Sequence, residues 1–206
     1  MLRIGLTGGI ASGKSVASRR FEQLGARVVD HDQLARQAVA SGSAALADIV
    51  REFGSELAVD GELDRAALGA IVFNDAVARE KLNSIVHPYV YSLARAQDRE
   101  AREHGVPVIV HAIPLLVETD QTATFELVVT VQTPAEIRVD RLTEGRGLTR
   151  DQALARIAAQ ASDGERAASA DVVLDGSGSE IELYEQVDNF WHDHIPVSER
   201  RRNVEA

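Results

Sequence analysis

Short apolar runs alternate with longer stretches of helical character along this chain. Leu2 to Thr7 has the pattern of a buried strand, and a glycine-rich turn follows it. A helix is predicted from about Lys14 to Leu24, with Gly25 as its stop signal. Arg27-Val28-Val29-Asp30 reads as a second strand. Helical pattern then dominates from Asp32 to about His104. Within it, Pro88 removes a backbone donor, so a kink or break is predicted at His87-Pro88.

Three more strands follow: Pro107 to His111, Leu127 to Val131, and Asp171 to Leu174. Between the last two, a helix opens near Pro134, where proline suits the first turn, and a polar-faced helix covers Leu148 to Ala161. Glu180 to His192 is a closing amphipathic helix, and Ser198 to Ala206 is a polar tail. Strands this short and apolar, joined by connections long enough to cross over, predict a parallel sheet covered by helices on both faces. The stretch between the second and third strands is too long for one crossover. It is read as a substrate-binding insertion within one domain.

Composition narrows this picture. At 206 residues, 45% hydrophobic and 26% charged, the chain suits one globular domain with a small insertion. Aromatics are only 4%, so Val, Leu, Ile and Ala must fill the core. The net charge of -10 disfavours general nucleic-acid binding, since a phosphate backbone rewards basic surfaces. No nucleic-acid partner is expected. Cysteine is absent, which excludes disulfides, thiolate metal sites and a cysteine nucleophile. No apolar run approaches the roughly 18 residues that span a membrane. The first strand runs straight into the glycine loop, leaving no room for a signal peptide, so a cytoplasmic protein without membrane partners is expected. Oligomeric state is not legible.

The candidate chemistry begins at Gly8-Gly9-Ile10-Ala11-Ser12-Gly13-Lys14-Ser15, which meets G-x-x-x-x-G-K-[ST]. Glycines let such a loop turn tightly and aim N–H groups at phosphate oxygens. The helix beginning there turns its positive end toward the anion. Lys14 reaches the β- and γ-phosphates, and the Ser15 hydroxyl can ligate Mg²⁺. A nucleoside triphosphate with Mg²⁺ is therefore expected, ATP if no guanine-reading motif is present.

Asp30 and Asp32 end the second strand, where ligands of open parallel sheets bind. A carboxylate there can take a hydroxyl proton from a phosphoryl acceptor or hold Mg²⁺ through water. The alternative is that Asp32 only caps the next helix. His31 should point away from its neighbours if strand alternation continues.

The pattern separates the classes of phosphate-loop protein. No Asn-Lys-x-Asp or Thr-Lys-x-Asp reads guanine, and Asp175-Gly176-Ser177-Gly178 lies too late for a GTPase switch. Motor and transport ATPases need an acid at the end of a late strand, and the strands at 108–111 and 127–131 have none. An acid after the second strand is the small-molecule kinase arrangement. A non-catalytic ATP-binding regulator also fits the loop, though the acid pair argues against it.

Several further segments stand in a distinctive order: Leu34-Ala35-Arg36, Leu82 to Pro88, Ile113-Pro114-Leu115-Leu116-Val117-Glu118, Arg156 to Gln160, and Ala170 to Asp175. With the loop and Val28 to Asp32, they make the chain from about Leu2 to His192 closely resemble the dephospho-CoA kinase family. The resemblance implies a P-loop NTPase three-layer α/β sandwich with a five-stranded parallel sheet. It places one kinase domain at 1–196, an acceptor-binding helical insertion at about 33–104, a lid at about 142–166, and a tail at 197–206. It implies transfer of the ATP γ-phosphate to the ribose 3′-hydroxyl of dephospho-CoA.

Carried onto this sequence, the resemblance makes Asp32 the base and Lys14 the transition-state stabiliser. ATP would be held by Gly9, Ile10, Ala11, Ser12, Gly13, Lys14, Ser15, Val16, Arg141 and Arg146, with Ser15 on the metal. Dephospho-CoA would meet Asp30, Asp32, Arg36, His87 and Leu115. His87 also reads as a packing residue, Arg36 as a partner for a nearby acid, and Glu118 as an orienter of arginines or a cap. Ala11 stands where the family often has Gly, which a methyl tolerates if the local φ is negative. Val16 replaces a common Thr, Gly145 a frequent Arg, and Gly176 a common Asn.

Overall fold

The computed structural model describes residues 1–73 and 75–196. The chain divides into two compact units, Met1–Asp30 with Glu100–Ala206, and His31–Arg99. The tail at 197–206, with its run Arg200 to Arg202, lies outside the described residues.

Strand β1 (Leu2–Gly8) leads through the glycine turn into α1 (Lys14–Gln23), and β2 (Arg27–Asp30) passes directly into α2 (His31–Ala38). Helix α3 (Ala44–Phe53) begins at Ser43, whose side chain accepts the Leu46 N–H. A small antiparallel hairpin follows, β3 (Ala58–Val59) and β4 (Glu62–Leu63), and then α4 (Arg65–Phe73) and α5 (Ala76–Glu103). After β5 (Val108–Ala112) and β6 (Leu127–Gln132) come α6 (Ala135–Arg146), α7 (Arg150–Ala158) and α8 (Asp163–Ala168). Strand β7 (Val172–Asp175) and α9 (Glu180–His194) close the described chain.

In the first unit the strands form one parallel sheet in the order β2-β5-β1-β6-β7. The five strands stand where the apolar runs predict them. On one face α1 and α9 bury Ala17, Phe21, Leu183, Val187, Phe190 and Trp191 against Ile4, Leu6, Val110 and Val129. Phe21 meets Phe190 edge to face, with ring centroids 5.5 Å apart. The other face carries Ile113, Leu116 and Val128, with Phe125 packed on them. A further cluster joins α6 and α7 through Val139, Leu142 and Ala153, and Ile10 and Ala11 of the glycine loop pack on it.

The second unit has its own core. Val39, Ala45, Ile49, Leu57 and Leu68 are buried there, backed by Leu82, Ile85, Val86 and Tyr89 of α5. That packing explains why α5 runs unbroken from Ala76 to Glu103 with Pro88 inside it, against the predicted interruption. Proline deletes one ladder hydrogen bond, but apolar contacts on both sides of it hold the helix line. The hairpin at 58–63 has strands of two residues each, too short to leave a period-two pattern.

The helix expected over Leu148 to Ala161 is shorter, Arg150–Ala158, because Thr149 and Gln152 form a reciprocal capping box at its start. Ser162 with Glu165 and Ser179 with Glu182 do the same for α8 and α9.

The cap on α9 is testable, because that helix carries the chain's single tryptophan into the core. Ser179→Ala is expected to cost about 1 kcal/mol. Urea unfolding followed by Trp191 fluorescence should shift to a lower midpoint, with the same slope. An unchanged midpoint would show that the box contributes nothing.

Candidate active site

The glycine loop sits at the carboxyl end of β1 and is fixed from behind by side chains. Gln160 Oε1 accepts the Ile10 N–H at 2.7 Å. Arg141 donates from Nη1 to the Ala11 carbonyl at 3.1 Å and from Nη2 to the Gly176 carbonyl at 2.8 Å. The Thr133 hydroxyl donates to the Ser12 carbonyl at 2.9 Å. Two consecutive loop carbonyls are thus turned outward and bonded. The Ser12 N–H bonds back to the Gly9 carbonyl at 3.1 Å, so the turn is closed on itself as well as held from outside, and a glycine turn leading into a helix N-terminus is the arrangement that receives an anion.

Gly13 precedes α1 at φ 104°, a conformation that favours glycine, and a Cβ there would also crowd Leu183 Cδ2 at 3.1 Å. Ala11 is also left-handed, at φ 61°. The condition on which its methyl was judged tolerable, a negative φ, is not met. Packing against α6 and α7, together with the Arg141 bond to its carbonyl, holds it there.

A cavity of about 380 Å³ opens beside the loop. Ala11, Gly13, Ser15 and Val16 line it with Arg141, Gly145 and Arg146 of α6 and with Gly176, Gly178, Ser179, Glu180 and Leu183. Ser15 is exposed on the first turn of α1, while Ser12 is buried, with its N–H on the Gly9 carbonyl and its own carbonyl on Thr133. Lys14 is the first residue of α1. Asp30 ends β2 beside Ala112 of β5, on the same sheet edge from which the loop departs. Leu115, in the turn after β5, is 45% exposed.

The second unit holds the other residues singled out in the sequence. Asp32 lies in the first turn of α2, which begins at His31. It is therefore inside the helix and does not cap it, and strand alternation ends before His31. The Arg36 carbonyl accepts from Arg65 Nη2 at 3.3 Å. His87 is partly buried on α5, 5.7 Å from the Tyr91 ring between centroids. Burial pushes its imidazole down from the ordinary value, toward the neutral form.

Two buried arginines escaped the sequence reading. Arg138 of α6 and Arg166 of α8 are 3% and 1% exposed. Arg138 Nη2 is 3.0 Å from Asp163 Oδ2, and Arg166 Nη2 is 3.2 Å from Glu118 Oε1. Glu118 also accepts the Ala161 N–H at 2.8 Å, so it both orients an arginine and ties down the chain before α8. One signal pointed to Arg138: it lies four residues before buried Leu142, on the apolar side of α6. Nothing comparable marks Arg166, while Gln160 closes the segment Arg156 to Gln160 singled out in the sequence, where no role was attached to it.

A parallel five-stranded sheet with a phosphate loop at the carboxyl end of its central strand and an acid ending the second strand defines a P-loop small-molecule kinase. The sequence model for dephospho-CoA kinase matches residues 2–182. The chain belongs to the dephospho-CoA kinase family. It is 47% identical to the dephospho-CoA kinase of Frankia casuarinae over 100% of this chain and 87% of that one. It is 49% identical to that of Mycolicibacterium paratuberculosis over 95% of this chain, which spans about half, 48%, of the longer relative. The crystal structure of TT1252 from Thermus thermophilus superposes with a TM-score of 0.84 at 33% identity, over 95% of this chain and 98% of that one.

The strain at Ala11 gives a direct test. A left-handed alanine costs roughly 1–2 kcal/mol, and glycine's greater freedom in the unfolded chain returns about 0.5–1 of that. Ala11→Gly is expected to stabilise the protein by about 0.5–1 kcal/mol in chemical denaturation. A loss of stability would show that Ala11 carries no strain.

Proposed function

We propose that this chain transfers the γ-phosphate of ATP to the ribose 3′-hydroxyl of dephospho-CoA, giving coenzyme A and ADP. The observation that carries the reading is the glycine loop, with its Ala11 and Ser12 carbonyls bonded by Arg141 and Thr133 and with a cavity beside it sized for part of a nucleotide. In this reading Gly9 to Val16 hold the phosphates, and Arg141 and Arg146 flank them.

Lys14 stabilises charge on the transferring group. Asp32 accepts the proton of the 3′-hydroxyl while its oxygen bonds to the γ-phosphorus and the bond to the β-phosphate oxygen breaks. Asp30, Arg36, His87 and Leu115 position the acceptor. The segment at about 142–166 acts as a lid that keeps out water, the competing acceptor.

Mg²⁺ fits the donors present. Ser15 offers a hydroxyl beside the loop, and no group of three or more His, Cys, Asp or Glu among the described residues could hold the ion alone. A hard cation shared between one protein oxygen and substrate phosphates suits such a site. When bound, it neutralises charge on the phosphates. No helix among the described residues is long and apolar enough to cross a membrane, and we place the protein in the cytoplasm.

ADP release should depend on dephospho-CoA. Equal release with water alone would replace the kinase by an ATPase. Asp32→Asn is expected to lower kcat roughly 10²–10⁴-fold while leaving ATP affinity within about twofold. A large loss of ATP binding would instead make Asp32 a metal or structural residue.

A further inference from the structure

The paired guanidinium groups behind the phosphate loop have no part in the chemistry so far described. Arg138 reaches the loop from α6 and Arg166 from α8, and their Nη1 atoms converge on Gly9. A Cβ on Gly9 would collide with Arg138 Nη1 and stand 3.4 Å from Arg166 Nη1. Two buried cations side by side repel, and each loses hydration, so the arrangement needs compensation.

Asp163 provides it with both carboxylate oxygens on Arg138 Nη2, at 3.2 and 3.0 Å, and with Oδ1 3.4 Å from Arg166 Nη1. Glu118 holds the other side of Arg166. Burial and the neighbouring Arg166 push the Arg138 guanidinium below its ordinary value, and Asp163 opposes this. The Nε atoms of both arginines are buried without a partner.

A purely structural cluster would be expected to satisfy those atoms or use apolar residues of similar volume. The two carboxylates balance the two guanidiniums, so what the cluster presents behind Gly9 is the positive Nη1 edge of each fork, held in a poorly hydrated position. There it is screened far less than a surface arginine would be. The placement is also shape-specific, since only a residue without a side chain at position 9 lets the planar fork approach so closely.

We propose that Arg138 is a positioning residue for the phosphoryl donor, clamped by Asp163 so that its guanidinium sets Gly9 and biases the loop toward the charge of ATP. This rests on reading the loop as the ATP site, and it acts through the loop without contact to the reacting atoms. It separates two parts of nucleotide recognition. The polyphosphate depends on Arg138, and the nucleoside does not.

Direct binding tests this without the acceptor. Arg138→Met removes charge at similar length and is expected to weaken ATP binding, read by calorimetry, roughly tenfold. Adenosine binding, read by ligand-observed NMR, should change less than about twofold, as should the KM for dephospho-CoA. Arg138→Lys restores charge without the fork and should recover part of the ATP affinity. Equal losses for ATP and adenosine, or unchanged ATP affinity, would overturn the proposal. If Arg138→Met does not fold, Arg138→Lys decides alone. A loss of ATP affinity of about threefold with adenosine unchanged supports the proposal, and no difference between the ligands sinks it. Failure of the kinase reading would show separately, as wild-type protein that binds ATP but releases no acceptor-dependent ADP.

Discussion

The constraint on which the rest depends is the fixing of five loop residues, Gly9 to Gly13, from outside. A run of backbone N–H groups facing one point is costly to assemble, because each peptide also carries a carbonyl that must face elsewhere. Here the Ala11 and Ser12 carbonyls are taken by Arg141 and Thr133. The donors come from α6 and from the residue just after β6, so the sheet and its helices hold the cradle open before any ligand arrives. Preorganisation of that kind moves the ordering cost from binding to folding. The left-handed Ala11 is one local expression of it.

Charge follows the same economy of placement. The chain is acidic overall, at -10, yet its loop is surrounded by Arg138, Arg141, Arg146 and Arg166. Attraction to a small polyanion is a local matter over about 8–10 Å at physiological ionic strength, so distant carboxylates count little. Net charge therefore says which large surfaces the protein avoids, and the loop says which small ligand it takes.

Much of the fold could be read along the chain because parallel strands buried on both faces are simple apolar runs. All five strands of the main sheet and the glycine loop were visible in that way. Pro88 misled, since a local rule about a missing donor lost to packing by Leu82, Ile85, Val86 and Tyr89. Arg138 and Arg166 went unnoticed for the reverse reason. Arginine on a helix normally faces water, and partners outside their own helices, Asp163 for Arg138 and Glu118 for Arg166, help make burial tolerable.

The sequence by itself determined the class of chemistry, because the phosphate loop is a contiguous backbone motif whose glycines, Lys14 and Ser15 are read at fixed spacing. The ordered segments along the chain resembled one family, and the similarity to known proteins agrees with it. Only the tertiary structure decided how the loop is held. Gln160 at Ile10, Thr133 at Ser12 and Arg138 at Gly9 are separated by more than 100 residues from what they touch. No local pattern encodes such pairs, since they arise from the sheet order that brings β6 and the helices after it beside β1. The loop's identity is a property of eight adjacent residues, while its rigidity belongs to the whole sheet.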